Sequence, residues 1–326
     1  MTYRAVVCDT LGSPEELVLR LLPRQALKPG EVRVAIRAAG LNFPDVLMVQ
    51  GLYQHKPPLP FVPGLEAAGE IIELGGGVMG YALGDPVMVH TRTGAYAEEA
   101  VVSAPDVMPL PAGFSFVQGA TFLVASITSW HGLVSRAKLR AGETLLVVGA
   151  AGGVGLAAVE IGKALGARVI AVASSAEKRA AASAKGADAV IDPAAGPLSE
   201  AVKALTQGRG VQVLMDPVGL QAEEATRCLA MGGRLLIAGF AGGSIPTFAA
   251  NRILLKGASV IGVRAGEAAR HDPALRVQEM KEMMALTAAG WLKPHVSATF
   301  PLASTAHAMR ALMDRKAIGR VALTMD

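Results

Sequence analysis

The chain has 326 residues, 52% of them hydrophobic and 18% charged. That is length enough for two domains and too apolar a composition for a disordered chain. A net charge of +4 with no run of five basic residues points to phosphate-bearing small molecules at least as readily as to nucleic acid. The only cysteines, Cys8 and Cys228, exclude a disulfide framework and a four-cysteine zinc site. The opening MTYRAVVCDT lacks a signal-peptide apolar core, so a cytoplasmic protein is expected.

Residues 1 to about 120 read as strands and turns. EVRVAIRAAG alternates apolar and polar residues, a strand with one wet face. PGLEAAGEIIELGGGVMGYALGDPVMVH holds two apolar strands between glycine-rich turns, and GAYAEEAVVSAPDVMPLP adds further strand before prolines end it. From Val107 to Ser135 no residue is charged, yet the span holds Pro109, Pro111, Gln118, Thr121 and His131. A membrane helix needs about 20 predominantly apolar residues, so the span is read as buried or pocket-lining, and no membrane partner is expected.

VQGATFLVASITSWHGLV predicts a helix, after which strands and helices alternate. Strands are predicted at 144–148, 168–173, 188–191, 211–215, 234–238 and 259–263, with helices near 153–165, 176–185, 198–206 and 221–230. This alternation predicts an α/β, doubly wound parallel sheet of Rossmann type. Gly166, Gly186 and Gly232 stand where helix C-caps belong. DPALRVQEMKEMMALTAAG reads as a long helix, and the tail as strand, helix and strand.

The segment TLLVVGAAGGVGLAAVEIGKALGARVIAVASSAEKR carries the chemistry of this half. A buried strand runs into Ala150-x-Gly152-x-x-Gly155, the dinucleotide fingerprint with alanine in its first position. Gly152 lets the backbone approach a pyrophosphate, and Gly155 lets the helix pack closely on the strand. The main chain at Ala151, Gly152, Gly153 and Val154 is therefore the candidate phosphate cradle, at a helix N-terminus whose amides favour anions. Leu156 and Ala157 follow the glycines where a kinase-type loop has Lys and Ser or Thr.

An NAD site carries Asp or Glu at the tip of the second strand for the ribose 2′-hydroxyl. Here that tip is Ala173-Ser174-Ser175, followed by Lys178 and Arg179. Small hydroxyls and cations suit a 2′-phosphate, so NADPH is the expected cofactor. The plainer use of Lys178 and Arg179 is a solvated helix face.

The chain resembles the zinc-independent quinone oxidoreductases, the zeta-crystallin-like branch of the medium-chain dehydrogenase/reductase superfamily. The resemblance spans nearly the whole chain, through AAGLNFPDVLMVQGLY, PFVPGLEAAGEI, GAYAEE, the segment around the fingerprint, KGADAVID and GRGVQVLMDPVG. It implies a GroES-like catalytic domain from 1–121 and 266–326, with an NADP(H)-binding Rossmann domain at 122–265 between them. Two departures stand out. Pro86 replaces an arginine usual after Gly-Asp, and VIDP replaces a VINY-like ending whose tyrosine can lie near the adenosine phosphate.

Zinc-dependent relatives place a cysteine and a histidine at positions that are Asn42 and Leu65 here, so no metal is expected. Nor do the six histidines show ligand spacing. Without a Lewis acid, alcohol–ketone exchange loses its main electrostatic help. A quinone or enone acceptor needs less, because added hydride leaves a delocalised anion that one or two hydrogen-bond donors can serve.

The resemblance implies an acceptor pocket lined by Asn42, Asp45 and Tyr53. Tyr53 would donate a hydrogen bond or proton, Asn42 would bind the acceptor oxygen, and Asp45 would hold the loop or a water. The same residue types also serve as turn formers (Asn42, Asp45) and core aromatic (Tyr53). Thr128 resembles a position facing the nicotinamide. Gly239 and Phe240, and Val263 and Arg264, follow later strands at carboxyl ends, where sheet ligands bind.

The expected activity is NADPH-dependent reduction of a quinone or activated alkene without metal or flavin. Enoyl-thioester reduction and a non-catalytic NADPH-binding role are the alternatives. ASVIGV is expected at a sheet edge, where it would pair two copies into a homodimer.

Overall fold

The computed structural model describes residues 1–325. The chain divides into two units: Met1–Val124 with Pro294–Asp326, and Ala125–Lys293.

In the first unit, β1 (Thr2–Val7) and β2 (Val18–Pro23) form an antiparallel pair. There follow β3 (Glu31–Gly40), α1 (Phe43–Val49), β4 (Glu66–Leu74), β5 (Pro86–His90), β6 (Glu99–Ser103) and β7 (Val107–Pro109). The alternation in β3 predicts one wet face, but Arg33 is buried. Its Nε donates to Glu73 at 2.7 Å and its Nη2 to the Gln25 carbonyl, so the charge is paired rather than hydrated.

The helix expected across VQGATFLVASITSWHGLV is broken into α2 (Phe116–Ala120), α3 (Leu123–Trp130) and a π-helical turn, His131–Arg136. The break falls at Thr121. Its hydroxyl donates to the Val117 carbonyl at 2.9 Å, and its own carbonyl accepts from Arg320 Nε at 3.0 Å.

In the second unit, β8 (Thr144–Val147), α4 (Gly153–Ala164), β9 (Arg168–Val172), α5 (Ala176–Ala184), β10 (Ala189–Ile191), α6 (Leu198–Thr206), β11 (Val211–Asp216), α7 (Ala222–Cys228), β12 (Leu229–Ile237), α8 (Ala250–Lys256) and β13 (Ser259–Gly262) alternate; the six strands and the helices α4 to α7 stand where the sequence predicts them, and α8 is a helix the pattern did not reveal. The sheet is wholly parallel in the order β10-β9-β8-β11-β12-β13, the doubly wound arrangement. β13 lies at its edge.

Gly232 is not a helix C-cap. It lies inside β12 with φ +69°, where the register on β11 jumps from Val211↔Leu229 to Val213↔Arg234. The extra residues of this bulge need a left-handed position that glycine fills without strain.

α9 (Ala265–His271) and α10 (Pro273–Ala288) belong to the second unit, which runs to Lys293. Glu279 of α10 is buried and reaches back to the π-helical turn. Its Oε1 lies 2.7 Å from His131 Nδ1 and accepts from the Ser135 hydroxyl.

The chain then returns to the first unit through β14 (Val296–Pro301), α11 (Thr305–Met313) and β15 (Arg320–Thr324). The larger sheet there runs β14-β15-β3-β4-β5-β7, with β6 also pairing β3. Both ends of the chain thus build one sheet. Among the described residues no helix is long and apolar enough to cross a membrane.

Candidate functional site

In the first unit the candidate residues sit at the start of α1. Asn42 is its N-cap, and Pro44 suits the first turn. Asn42 N–H donates to Asp45 Oδ2 at 2.9 Å, satisfying one of the orphan donors of the helix start. Both side chains are buried. The Asn42 amide donates to Glu66 Oε1 at 3.0 Å, and its Oδ1 accepts from Arg320 Nη2 at 2.9 Å. Arg320 Nη2 also donates to Glu66 Oε1, closing a three-membered network of β4, β15 and the β3–α1 junction. Glu66 Oε2 takes the Val124 amide at 2.9 Å.

Tyr96 completes the cluster. Its hydroxyl donates to Asp45 Oδ2 at 2.8 Å, and its ring is fully buried. Asp45 Oδ1 is buried without a hydrogen-bond partner. Burial pushes the Asp45 carboxyl up to about 7; the bonds from Tyr96 and Asn42 oppose this, and nearby Glu66 adds to it. Burial also raises Glu66, against the pull of Arg320, and takes the Tyr96 phenol well above its usual range. A neutral Asp45 leaves one buried acid, Glu66, facing one buried base, Arg320. Asn42 and Asp45 thus have the turn-forming role that their types allow. Tyr53, half-buried, follows the end of α1, where its N–H donates to the Leu47 carbonyl at 3.1 Å, and it packs against the core of this unit.

In the second unit β8 leads into the glycine turn, and Gly152 is the N-cap of α4. Leu156 N–H donates to Gly152 O at 2.9 Å, so the amides of Gly153, Val154 and Gly155 precede the helical ladder. A Cβ on Gly155 would come within 2.4 Å of Gly149 O and 2.7 Å of Ala150 Cα, so the protein itself requires that glycine. A Cβ on Gly152 would meet only Gly149 O, at 3.4 Å, and its φ of −77° suits any residue. The protein has no need of glycine there; a ligand approaching the backbone would. Ala151 is buried behind this turn. Ser129, beside half-buried Thr128, donates to Val154 O at 2.8 Å and fixes α3 against the start of α4.

At the tip of β9, Ser174 and Ser175 are exposed. Ser175 is the N-cap of α5, its hydroxyl accepting from Lys178 N–H at 3.3 Å. Arg179 Nη1 donates to Ala173 O at 3.1 Å and pairs with Asp192 Oδ2 at 2.8 Å. It is not the plainly solvated cation that one reading allowed, because an acid from the neighbouring strand holds it.

Gly239 and exposed Phe240 follow β12. A Cβ on Gly239 would lie 3.2 Å from Pro217 O, in the loop after β11. Asp216 builds that loop, accepting from the amides of Val218, Gly219 and Leu220 at 2.8, 2.9 and 2.7 Å. Val263 is buried after β13, while exposed Arg264 faces Glu267 at 3.5 Å.

Residues 28–112 match the alcohol dehydrogenase GroES-like domain, and residues 153–289 match the family described as zinc-binding dehydrogenase. The chain is 37% identical over 326 residues to quinone oxidoreductase-like protein 2 homolog of Nematostella vectensis, covering 99% of this chain and 89% of that protein. It belongs to the quinone oxidoreductase-like family of the medium-chain dehydrogenase/reductase superfamily.

Among solved structures, a quinone oxidoreductase of Pseudomonas syringae pv. tomato superposes with TM-score 0.90 at 30% identity, over 99% of this chain and all of that one. A mycobacterial protein complexed with NADPH gives TM-score 0.90 at 29% identity, over 99% of this chain and 100% of its own. The family is one of nicotinamide-dependent oxidoreductases, and the cradle at Gly152–Gly155 fits such a cofactor: free helix-start amides beside a glycine that only a ligand would require.

In this quinone oxidoreductase-like chain Leu65, at the histidine position of zinc-dependent relatives, packs partly buried on the core. Among the described residues no three His, Cys, Asp or Glu side chains gather as a metal-binding group. Sequence reasoning passed over Glu66, Tyr96, Arg320 and Asp216. Glu66 and Asp216 stand inside the quoted segments PFVPGLEAAGEI and GRGVQVLMDPVG, and a charged residue in an apolar strand was the signal available. Nothing local marks Arg320.

Proposed function

We propose that this chain is an NADPH-dependent reductase of quinones or other activated carbonyl-conjugated acceptors, working without metal or flavin. The observation that carries the cofactor preference is the tip of β9, where Ala173-Ser174-Ser175 offers no acid and Lys178 and Arg179 follow. The bound cofactor supplies the hydride. The chain's own residues supply the rest. Amides from Ala151 to Val154 hold the diphosphate. Ser174, Lys178 and Arg179 hold the 2′-phosphate, and Ser175 fixes the turn that presents them. Thr128, Gly239, Phe240, Val263 and Arg264 bound the remaining cofactor surface.

Tyr53 donates a hydrogen bond to the acceptor oxygen and stabilises negative charge as it develops there. Asn42 and Asp45 act one step back. Their network with Glu66, Tyr96 and Arg320 fixes the start of α1, the helix that Tyr53 follows. A second copy of this chain is the expected partner. β13 is an open edge, Val260 on it is exposed, and Leu254 and Leu255 of neighbouring α8 are more than 70% exposed.

The test follows NADPH and NADH oxidation with a naphthoquinone, an enone and crotonyl-CoA, before and after chelation, on protein sized by light scattering. Turnover of the quinone or enone with NADPH, undiminished by chelation, from a particle of twice 33.5 kDa, is expected. Turnover of crotonyl-CoA alone favours a thioester reductase. Tight NADPH binding with no acceptor reduced favours a binding protein. Loss of activity on chelation overturns the metal-free chemistry.

A further inference from the structure

We propose that Asp192 is a specificity-determining residue, holding Arg179 in competition with a 2′-phosphate and thereby limiting how strongly this chain prefers the phosphorylated cofactor. The inference rests on the reading above, in which Arg179 meets that phosphate. The sequence places no acid at the tip of β9. The fold brings one there from the next strand.

Ile191, the last residue of β10, pairs with Val172, the last of β9, and Ala173 N–H donates to Ile191 O at 3.2 Å. Asp192 therefore stands beside Ala173, at the strand tip where a dinucleotide's adenosine ribose is read. Its Oδ2 lies 2.8 Å from Arg179 Nη1. Its Oδ1 accepts the Ala194 amide at 2.9 Å, so its own turn fixes the carboxylate. Arg179 Nη1 is held twice, by Asp192 and by Ala173 O at 3.1 Å.

Two effects follow, both against the 2′-phosphate. The guanidinium edge that suits a phosphate is already engaged by a carboxylate of like charge. And Asp192 adds a negative charge beside Arg179, so less of the positive charge of Lys178 and Arg179 is left for a phosphate. A ribose hydroxyl is neutral and meets neither penalty. Asp192 acts through Arg179, so it is a positioning residue whose effect must appear as a ratio between two ligands. Damage to the end of β10 would weaken both alike.

The experiment is calorimetric titration of the full chain with 2′,5′-ADP and with 5′-AMP, fragments that carry the ribose end and no nicotinamide. Asp192→Asn keeps an oxygen for the Ala194 amide and removes the charge. It is expected to tighten 2′,5′-ADP by about tenfold and to leave 5′-AMP within about twofold. Asp192→Ser, with a shorter oxygen, should move the ratio the same way and serves if the Asn variant melts early. Arg179→Gln should bring 2′,5′-ADP down toward 5′-AMP.

If Arg179→Gln does this while both Asp192 variants leave the ratio unchanged or lower it, Arg179 reads the phosphate and Asp192 does not govern it; the inference falls alone. If Arg179→Gln moves neither ligand, the placing of Arg179 at the phosphate falls, and the inference with it.

Discussion

The unit with the parallel sheet keeps its candidate chemistry close together in sequence: strand, glycine turn and helix start lie within the dozen residues from Thr144 to Gly155. The unit built from both chain ends works differently. There Arg320 reaches Asn42 across 278 positions and Glu66 across 254. In the first case backbone geometry prepares the site, and the side chains mostly need to be small. In the second, buried charges must find one another through the completed sheet. Substitutions that remove charge should therefore damage one unit, and substitutions that add volume the other.

The largest effect is expected at Arg320. Removing one partner of a buried ion pair strands the other, at a cost of about 3–5 kcal/mol. Arg320→Ala should lower the unfolding free energy by that amount in urea titration, with the Glu66→Gln/Arg320→Met double variant recovering most of it. Equal losses in the single and double variants would mean that packing, not stranded charge, decides.

This difference also explains what was legible in the sequence. The six parallel strands and the first four helices between them follow from alternation and glycine punctuation, and they form within a residue or two of expectation, apart from the early start of β12; α8 was not read. The glycine turn and helix start at Gly152–Gly155 could be read because their parts are neighbours. Asn42 and Asp45 could be picked out from one loop. Their partners could not, since no local pattern pairs position 42 with position 320. Asp192 marks the limit even in the legible unit: its identity was plain as a departure from VINY, but its grip on Arg179 depends on the register of β10 against β9.

Asp45 tests the charged cluster by pH. Its carboxyl titrates near 7 when folded and near 3.8 when free. Between those values the folded chain holds a proton that the unfolded chain has lost, so stability falls as pH rises through the window. The loss is complete above about pH 7 and is on the order of 4 kcal/mol. Asp45→Asn keeps an oxygen for Tyr96 and the Asn42 amide and cannot ionise. Its melting temperature should fall less between pH 5 and pH 8 than that of the unaltered chain. Parallel curves would show that Asp45 is already ionised at pH 5.

The smallest effect separates two glycines three residues apart, and it tests the backbone side of the comparison. Gly155→Ala forces a methyl toward Gly149 O and Ala150 Cα, backbone atoms that cannot yield without moving the turn. Overpacking of this kind costs about 1–3 kcal/mol, and urea titration should show it. Gly152→Ser has room for its Cβ, an extended backbone that serine accepts, and a hydroxyl able to cap the helix. Its stability should hold or rise slightly. It also fills the space that a diphosphate would need, so NADPH binding, followed by fluorescence, should weaken by about tenfold or more, or roughly 1.4 kcal/mol. A Gly152→Ser variant that binds NADPH normally would take the diphosphate away from this turn, whatever its stability. A Gly155→Ala variant as stable as the parent would mean that the close approach of α4 to β8 can relax, and that both glycines answer to the ligand.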